Sequence, residues 1–333
     1  MSRPRLGTAY FGNRFPGHAH RDLVVISQSC DYVVHTVSET DLHFHKAALE
    51  RIFNESRRVG LEVWADPWGL AGVFGGESFS KFLVDHPDLW ARYSDGRPAP
   101  AACLNAPAFR DYVKEWIGVA ADFGAQVVLW DEPHQAFAWT LEWEGVYSCA
   151  CSRCRDLFRE ETGEDLPPRL TQDALDFRRR TVKRFLEEAT AYARTRGLRN
   201  ALCLYAFEGY RAYEDIWNDL AALPDLDIFG CDPYWRWTLG RQDPASYVRH
   251  FADKLLASAS PGRGTQIWIQ AMRLPSGTEG EVGRAILAAA EAGVSHIGAW
   301  SFDGGALLDP VLSERPDRVW AETSRAFAAL RGK

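Results

Sequence analysis

Short apolar segments alternate with longer segments of helical periodicity along the whole chain, and this alternation limits the possible folds more than any other feature. The apolar segments are rich in Val, Ile, Trp and Phe, as expected of parallel strands that are covered on both faces. Parallel strands need crossover connections, which are usually helices. Eight segments are predicted as strands: Leu6–Phe11, Tyr32–Thr36, Glu62–Asp66, Gln126–Trp130, Ala201–Phe207, Leu226–Cys231, Gln266–Ala271 and His296–Phe302.

Eight such units predict an α/β chain that closes into a single (β/α)8 TIM barrel over residues 1–333, with long loops after its strands. An open, doubly wound sheet is the competing architecture, but no Gly-rich phosphate-binding turn follows any predicted strand. Helix-capping residues lie at the expected starts and ends of the helices between the predicted strands. Ser38 and Asp41 form a capping-box pattern, Thr171 and Asp243 are predicted N-caps, and Gly293 is predicted to end the last crossover helix.

The composition narrows the functional class. A formal charge of -7 argues against a nucleic-acid surface, which would need clustered Lys and Arg. No apolar run approaches the roughly 20 residues of a membrane span. The first residues lack the apolar segment of a signal peptide, so we expect a cytoplasmic protein that binds neither nucleic acid nor membrane. Homo-oligomer formation stays open at this level.

Four cysteines are spaced like metal ligands. Cys149, Cys151 and Cys154 fall within six residues, and Cys103 lies upstream. Four thiolates in tetrahedral array suit structural Zn²⁺, whereas the alternative is a set of reduced surface thiols. We expect zinc, held by an insertion at about 100–155, because such tight spacing has no packing rationale.

This spacing resembles the zinc site of the microbial β-galactosidases of glycoside hydrolase family 42. In that family a lone Cys precedes a helix start that contains Asn and Pro, as Cys103 does here, and Cys-x-Cys-x-x-Cys follows some forty residues later. The resemblance covers about the first half of the chain. It implies a retaining, Glu-using barrel of the large clan that includes this family, with structural zinc and with Glu132 as the general acid/base at the end of the fourth barrel strand.

Two positions depart from the pattern of that clan. The residue before the strand-four Glu is usually Asn, whereas this chain has Asp131. The nucleophile of the clan is a Glu that ends the seventh strand, whereas this chain has Gln270 there. The resemblance therefore implies a divergent relative whose nucleophile lies elsewhere.

Strand ends in a barrel point into one shared mouth, where enzymes of this architecture have their active sites. The polar residues at these positions are His35, Asp66, Asp131, Glu132, His134, Glu208, Asp232, Gln270, Arg273 and Asp303. The aromatic residues beside them are Trp68, Trp130, Tyr234, Trp235, Trp237, Trp300 and Phe302. Many carboxyl groups in one mouth raise one another's pKa, so one acid stays protonated near neutral pH. Glycoside cleavage needs that division of labour, one protonated acid and one ionised partner.

Glu132 is the predicted general acid, since Trp130 and Pro133 flank it; the alternative is that Asp131 and Glu132 are a solvated strand end. The second carboxylate is predicted to be Asp232 or Glu208, and Asp131 itself if Glu132 turns away.

Indole faces can stack on a sugar ring, and Trp139, Trp143, Trp235 and Trp237 are candidates in loops. The Gly-rich segment Gly69–Gly76 is predicted to be an apolar loop over the mouth. The predicted substrate-binding residues are His35, Trp68, His134, Tyr234, Trp235, Gln270, Arg273, Trp300 and Asp303.

The sequence therefore favours a glycoside hydrolase that cleaves a small glycoside or oligosaccharide without an organic cofactor. The first alternative is a metal-dependent sugar isomerase, epimerase or lyase with His35, Asp131, His134 and Asp232 around a divalent ion. The second is a sugar-binding barrel without activity, for which Gln270 is the strongest sign.

Overall fold

The computed structural model describes residues 3–11, 14–136, 142, 144–208, 216–237 and 242–332. Eight parallel strands close into a barrel in the order β1-β2-β3-β6-β7-β8-β9-β10, and a hairpin of β4 and β5 lies outside it. The ten strands are β1 Arg5–Tyr10, β2 Tyr32–Thr36, β3 Glu62–Asp66, β4 Trp90–Arg92, β5 Pro98–Ala102, β6 Val127–Asp131, β7 Arg199–Tyr205, β8 Ile228–Asp232, β9 Gly264–Gln270 and β10 His296–Trp300. All eight predicted strands are confirmed. The hairpin was not predicted because its strands are short and carry no apolar alternation.

The helices of the described chain surround the barrel. They are α1 Pro16–Ser29, α2 Glu39–Phe44, α3 Lys46–Arg58, α4 Lys81–Asp85, α5 Pro107–Asp122, α6 Ser152–Thr162, α7 Gln172–Thr195, α8 Trp217–Ala221, α9 Pro244–Ser258, α10 Gly280–Ala292 and α11 Pro316–Arg331. None of the helices described combines the length and the apolar character needed to cross a bilayer.

The predicted helix caps are confirmed. Ser38 and Asp41 form a reciprocal capping box, and the side chains of Thr171 and Asp243 accept hydrogen bonds from backbone N–H groups in the first turns of α7 and α9. Gly293 ends α10 in the left-handed conformation that glycine adopts without steric cost.

Side chains alternate between two layers along every barrel strand, because successive residues face opposite sides of a sheet. In β6, Val127 and Leu129 belong to the inner cluster, whereas Val128 and Trp130 pack outward against the helices. The side chain of Asp131, the last residue of β6, therefore points to the inside of the barrel.

The inner layer is dominated by aromatic rings. Tyr32 stacks on Trp64 with ring centroids 4.4 Å apart, and Trp268 meets Trp300 edge to face at 5.4 Å. These rings fill the barrel between Gly7 and Gly298, where a Cβ atom would lie 2.2 Å from Tyr32 and 2.4 Å from Trp268. Because the two glycines have no side chains, the rings can occupy this space.

A buried carboxylate holds the loop that follows β3. Glu39, 3% exposed, accepts hydrogen bonds from the backbone N–H of Ala71 at 2.8 Å and of Phe82 at 2.6 Å. The Ser80 hydroxyl donates a third at 2.7 Å. The first residues of α2 therefore fix the predicted Gly-rich loop, which forms one wall of the barrel mouth.

We expect the Gly298→Ala substitution to lower the free energy of unfolding by about 1–3 kcal/mol, because the new methyl group overpacks against the Trp268 ring. Gly118→Ala in α5 is the matched control. A Cβ at Gly118 has no neighbour within 4 Å, and alanine favours a helix interior by roughly 0.5–1 kcal/mol. Urea denaturation of both variants measures the difference, and equal stabilities would contradict this account of the barrel interior.

Candidate active site

A cavity of about 300 Å³ opens at the carboxyl ends of the barrel strands. Its walls combine carboxylic acids with aromatic rings. The acids are Glu77, Asp131, Glu132 and Asp232, the aromatic residues are Trp68, Tyr205, Phe207, Tyr234, Trp237, Tyr247 and Trp300, and Gly76, Ala206, Met272 and Val311 complete the lining.

Asp131 and Glu132 both face this cavity although they are adjacent in sequence. Strand alternation would send Glu132 outward, but its φ of +43° lies in the left-handed region and turns the side chain back into the mouth. Such a conformation costs a non-glycine residue about 1–3 kcal/mol. Both acids therefore line the cavity. The condition under which Asp131 was predicted as the second carboxylate, that Glu132 turns away, is not met.

Backbone hydrogen bonds hold Glu132 in this conformation. Its N–H donates to the carbonyl of Cys203 at 3.0 Å, and its own carbonyl lies 2.6 Å from Nδ1 of His134. Nδ1 must carry the proton, because a carbonyl can only accept. On the other side, Gly75 donates its N–H to the carbonyl of Asp131 at 3.0 Å.

A hydrogen bond joins the carboxyl groups of Glu132 and Asp232, which both line the cavity. Burial, followed by the charge of Asp232 and the hydrogen bond to it, raises the pKa of Glu132 well above its usual range, while a hydrogen bond from Tyr205 acts in the opposite direction. Burial also raises the pKa of Asp232, to about 7, against the lowering effect of the Glu132 hydrogen bond. Burial therefore favours the protonated form of both acids, so a proton shared between them would leave a single negative charge on the pair.

Two further acids surround this pair. Burial and the neighbouring charge of Glu132 raise the pKa of Asp131, whereas a hydrogen bond with the Cys203 thiol lowers it. Asp66 is fully buried at the end of β3, and neither of its carboxyl oxygens has a hydrogen-bond partner. Burial, then Asp131 and Glu132, raise the pKa of Asp66.

Gly75 is where the β3 loop meets the acids. A Cβ at this position would lie 2.7 Å from Oε2 of Glu132 and 2.8 Å from Oδ2 of Asp131. Only a residue without a side chain lets the loop approach the two carboxyl groups this closely.

The four predicted metal-ligating cysteines come together. Cys103, Cys149, Cys151 and Cys154 are buried, and their sulfur atoms all lie within 4.8 Å of one another. Sγ of Cys103 is 3.6 Å from Sγ of both Cys151 and Cys154, and Asn105 donates its side-chain N–H to Cys154 at 3.3 Å. The group can hold a metal ion.

The structure corrects the predicted insertion at about 100–155. Helix α5 and strand β6, both within that range, belong to the barrel itself. Cys103 lies in the loop before α5, Cys149 and Cys151 lie in the loop after β6, and Cys154 lies in the first turn of α6. The cluster therefore joins the segments that follow two neighbouring barrel strands.

His35 does not reach the mouth. It is the penultimate residue of β2 and faces outward, where its Nε2 lies 2.8 Å from the Ser56 hydroxyl of α3 and its ring packs on Phe53. Burial lowers the pKa of His35 to about 3. The prediction that it binds substrate is therefore wrong, and the inward position at this strand end belongs to Thr36.

Trp235 and Gln270 are also placed differently from the prediction. Trp235 is fully buried and donates its indole N–H to Glu281 at 2.8 Å, so it supports α10. Gln270 is 1% exposed, accepts the backbone N–H of Arg236 at 3.0 Å and donates to the carbonyl of Met272 at 3.3 Å. The side-chain amide of Gln270 is thus hydrogen-bonded to backbone groups, and the residue does not line the cavity.

Three more predicted site residues lie outside the cavity lining. Glu208 is exposed and forms an ion pair with His250 on α9, so it is no candidate for the second carboxylate. Asp303 lies near Asp22 and its pKa is raised, first by burial. His134 lines a separate small cavity, and its Nδ1 lies 2.6 Å from the backbone carbonyl of Glu132.

The remaining predicted substrate-binding residues lie at the mouth, whereas two of the aromatic residues predicted beside it do not: Trp130 packs outward against the helices, and Phe302 packs on Tyr10. Trp68, Tyr234 and Trp300 line the cavity, with Trp68 stacked on Trp300 at 5.5 Å. Arg273 is at the rim, where its guanidinium lies 4.2 Å above the Trp237 ring. Trp139 and Trp143 lie outside the described residues.

Four further residues line the cavity although they were not predicted to do so: Tyr205, Glu77, Tyr247 and Met272. Tyr205 could have been found, because it lies two residues after Cys203 and shares the inward direction of that strand. Glu77 and Tyr247 carry no such signal, since a loop and a neighbouring helix bring them to the mouth.

The ligand set of the metal-dependent alternative is not assembled. His35 faces away from the cavity and His134 lies behind it, so these two cannot join Asp131 and Asp232 around one ion. Among the residues described, only the cysteines form a group of three or more close potential metal ligands.

No family model matches the sequence, and no curated protein matches it. Solved structures match the fold over nearly the whole chain. A glycoside hydrolase family 42 β-galactosidase from G. stearothermophilus superposes with a TM-score of 0.69 at 12% identity, over 98% of this chain and 56% of that one. The catalytic domain of a β-amylase from Paenibacillus polymyxa gives 0.65 at 10% identity, over 97% and 98% of the two chains.

A D-allulose 3-epimerase from Methylomonas sp. gives a TM-score of 0.53 at 11% identity, over 99% of both chains. Four β-galactosidases among the similar structures are longer proteins, and this chain spans 56–59% of their length. Identities this low establish the fold alone. The chain has the (β/α)8 barrel that these glycoside hydrolases and sugar epimerases share.

We expect Asp232→Asn to stabilise the protein, and increasingly so as pH rises. The pKa of Asp232 is raised from 3.8 to about 7, so its stabilising contribution is present below pH 3.8 and is lost as pH rises through about 7. Asparagine removes that loss, which amounts to up to about 4 kcal/mol above pH 7. Urea denaturation at several values between about pH 5 and pH 8 measures the trend. The exposed substitution Asp253→Asn on α9 should show no such trend; a flat difference for Asp232→Asn would contradict the assignment.

Proposed function

We propose that this protein is a glycoside hydrolase in which Glu132 donates the proton and Asp232 is the second carboxylate. One observation carries the proposal: the two buried side chains form a hydrogen-bonded pair that lines an aromatic-walled cavity, and the pKa of each is raised. Hydrolysis of a glycoside needs one carboxylic acid and one carboxylate beside the same bond.

The chemistry follows from this arrangement. When a sugar enters between the two groups, the Glu132 proton passes to the glycosidic oxygen as the bond from that oxygen to the anomeric carbon breaks. We propose the retaining course, in which Asp232 itself attacks the anomeric carbon once the sugar has separated the two carboxyl groups to about 5 Å. Water, deprotonated by Glu132, then displaces Asp232, so the net reaction consumes one water molecule and restores both groups.

The surroundings of the pair support this assignment. Tyr205 hydrogen-bonds to Glu132 and holds it in place, and the rings of Trp68, Tyr234 and Trp300 offer apolar surface for a sugar. The fold is that of β-galactosidases and a β-amylase, although sugar epimerases share it.

We expect Glu132→Gln to lower kcat on aryl glycosides by several orders of magnitude while the fold is retained, because glutamine cannot donate the proton to the leaving oxygen. Release of the aryl group from a panel of glycosides measures the effect. Glu208→Gln is the matched control, since this carboxylate is exposed and outside the cavity. Its activity should equal that of the wild type.

Undiminished hydrolysis by Glu132→Gln would refute the proposal. Incorporation of solvent deuterium into a carbon of an unhydrolysed sugar would also refute it, because that result indicates proton transfer at carbon, as in an epimerase.

We further propose that the four cysteines hold a structural Zn²⁺ ion. A tetrahedral zinc site with Zn–S bonds of about 2.3 Å places its sulfur atoms about 3.8 Å apart, close to the 3.6 Å separations found here. Four thiolates leave no open position on the metal, so its contribution is to stabilise the two loops that it joins.

We expect one zinc ion per chain in purified protein, measured by elemental analysis, and its loss in Cys103→Ser together with a lower melting temperature. Cys30→Ser is the control, because Cys30 is a buried thiol outside the cluster. This variant should keep its zinc ion. Metal-free protein of unchanged stability would contradict a structural zinc site.

A further inference from the structure

A second cavity, of about 210 Å³, adjoins the mouth. Trp68 and Glu77 line both cavities, so a ligand bound in the mouth can extend directly into this adjoining cavity. Its lining residues come from the end of β2 and from the segments that follow β1, β2, β3 and β10. The proposed reaction takes place in the mouth and gives the adjoining cavity no role.

Hydroxyl groups form one part of the lining of the adjoining cavity. Thr36 has the inward position at the end of β2, Thr40 lies in the first turn of α2, and Ser78 lies in the loop after β3. Thr40 is exposed and Ser78 is half-buried, and no hydrogen bond within the described residues engages either hydroxyl. Because a hydroxyl both donates and accepts hydrogen bonds, these groups match the hydroxyl groups of a sugar.

The two charged side chains among the described lining residues of the adjoining cavity are each paired. Arg14 donates to the buried carboxylate of Asp41 at 2.7 Å, and the carboxylate of Glu77 lies 3.7 Å from the guanidinium of Arg273. A lining whose charges are balanced in this way favours an uncharged polar ligand over a phosphate or a cation.

Aromatic rings form the other part of the lining. Phe11 stacks on Trp68 with ring centroids 5.4 Å apart, and Phe79, beside Ser78, is 70% exposed. A sugar ring offers an apolar face and a polar edge at once, which suits walls that combine aromatic rings with a few polar groups. An apolar ligand fits less well, because it would cover the hydroxyl groups without giving them hydrogen-bond partners.

We propose that the adjoining cavity binds a second sugar unit of the substrate, so that the substrate class is uncharged oligosaccharides of at least two units. The proposal deepens the glycoside hydrolase assignment and rests on it. One unit lies in the mouth beside the two acids, and Trp68 forms the wall that both units contact. In the adjoining cavity, Thr40 and Ser78 hydrogen-bond to the hydroxyl groups of the second unit, and Phe79 packs on its apolar face.

Binding can be measured apart from catalysis on the Glu132→Gln variant, by calorimetry. The probes are glucose against cellobiose and maltose, galactose against β-linked galactobiose, and mannose against β-linked mannobiose. We expect at least one disaccharide to bind ten-fold tighter or more than its monosaccharide, which corresponds to about 1.4 kcal/mol. The phenyl glycoside of the same monosaccharide should bind less tightly than the disaccharide, because its phenyl group offers no hydroxyl groups to the adjoining cavity.

Phe79→Ala in the same background tests the assigned wall. Phe79 lines the adjoining cavity but not the mouth, so affinity for the disaccharide should fall at least five-fold while affinity for the monosaccharide stays unchanged. Phe44→Ala is the matched control, because Phe44 is 71% exposed and lines neither of these two cavities, and it should leave both affinities unchanged. Ser78→Ala is a second test and should show the same selective loss of disaccharide binding.

The outcomes separate this inference from the hydrolase assignment. Equal affinity for the monosaccharide and the disaccharide of every pair overturns the inference, even when aryl monosaccharide glycosides are hydrolysed in a Glu132-dependent way. An equal loss of both affinities in Phe79→Ala overturns it as well, and so does a phenyl glycoside that binds as tightly as the disaccharide. A disaccharide preference that Phe79→Ala removes, without hydrolysis of any disaccharide or aryl glycoside, supports the second sugar site and counts against the hydrolase assignment.

Discussion

Like-charged acids buried at one end of the barrel are the constraint on which the rest of the structure depends. Four carboxyl groups, those of Asp66, Asp131, Glu132 and Asp232, are withdrawn from water and influence one another's pKa. Such an arrangement lowers stability, and only a rigid scaffold can keep it. The aromatic inner layer below and the helices outside supply that scaffold, since their burial is independent of the charge state of the mouth.

The left-handed backbone at Glu132 follows from the same constraint. A strand can direct only every second residue inward, so two adjacent acids share one cavity only if the chain departs from strand geometry between them. Two hydrogen bonds offset the strain: the N–H of Glu132 donates to the carbonyl of Cys203, and the ring of His134 donates to the carbonyl of Glu132. Because Gly75 has no side chain, the loop after β3 can lie directly against both acids and cover them.

The cysteine cluster is connected to this enclosure through the loops that it joins. The loop after β3 includes the β4–β5 hairpin and ends at Cys103, whose N–H donates to the carbonyl of Leu89 at 2.9 Å. The loop after β6 begins at Glu132 and continues to the other three cysteines; Ala150 within it donates to Arg92 of β4 at 2.8 Å. A metal ion there would therefore stabilise both walls of the mouth while lying outside it.

Local patterns in the sequence determined the eight strands, the helix caps and the spacing of the cysteines, because each depends on residues close together in the chain. The tertiary structure decided which side chains meet. The bounds of β2 were predicted correctly, but His35 was taken to face the mouth, whereas it faces outward and Thr36, the next residue, has the inward position. Contacts with distant segments placed Glu208 on the surface, buried Trp235 against α10, and brought Tyr205 and Glu77 to the acids. Strand register and loop packing are set by the whole barrel. The sequence therefore predicted the acidic and aromatic character of the mouth and several of its residues, Glu132 and Asp232 among them, but not the full set.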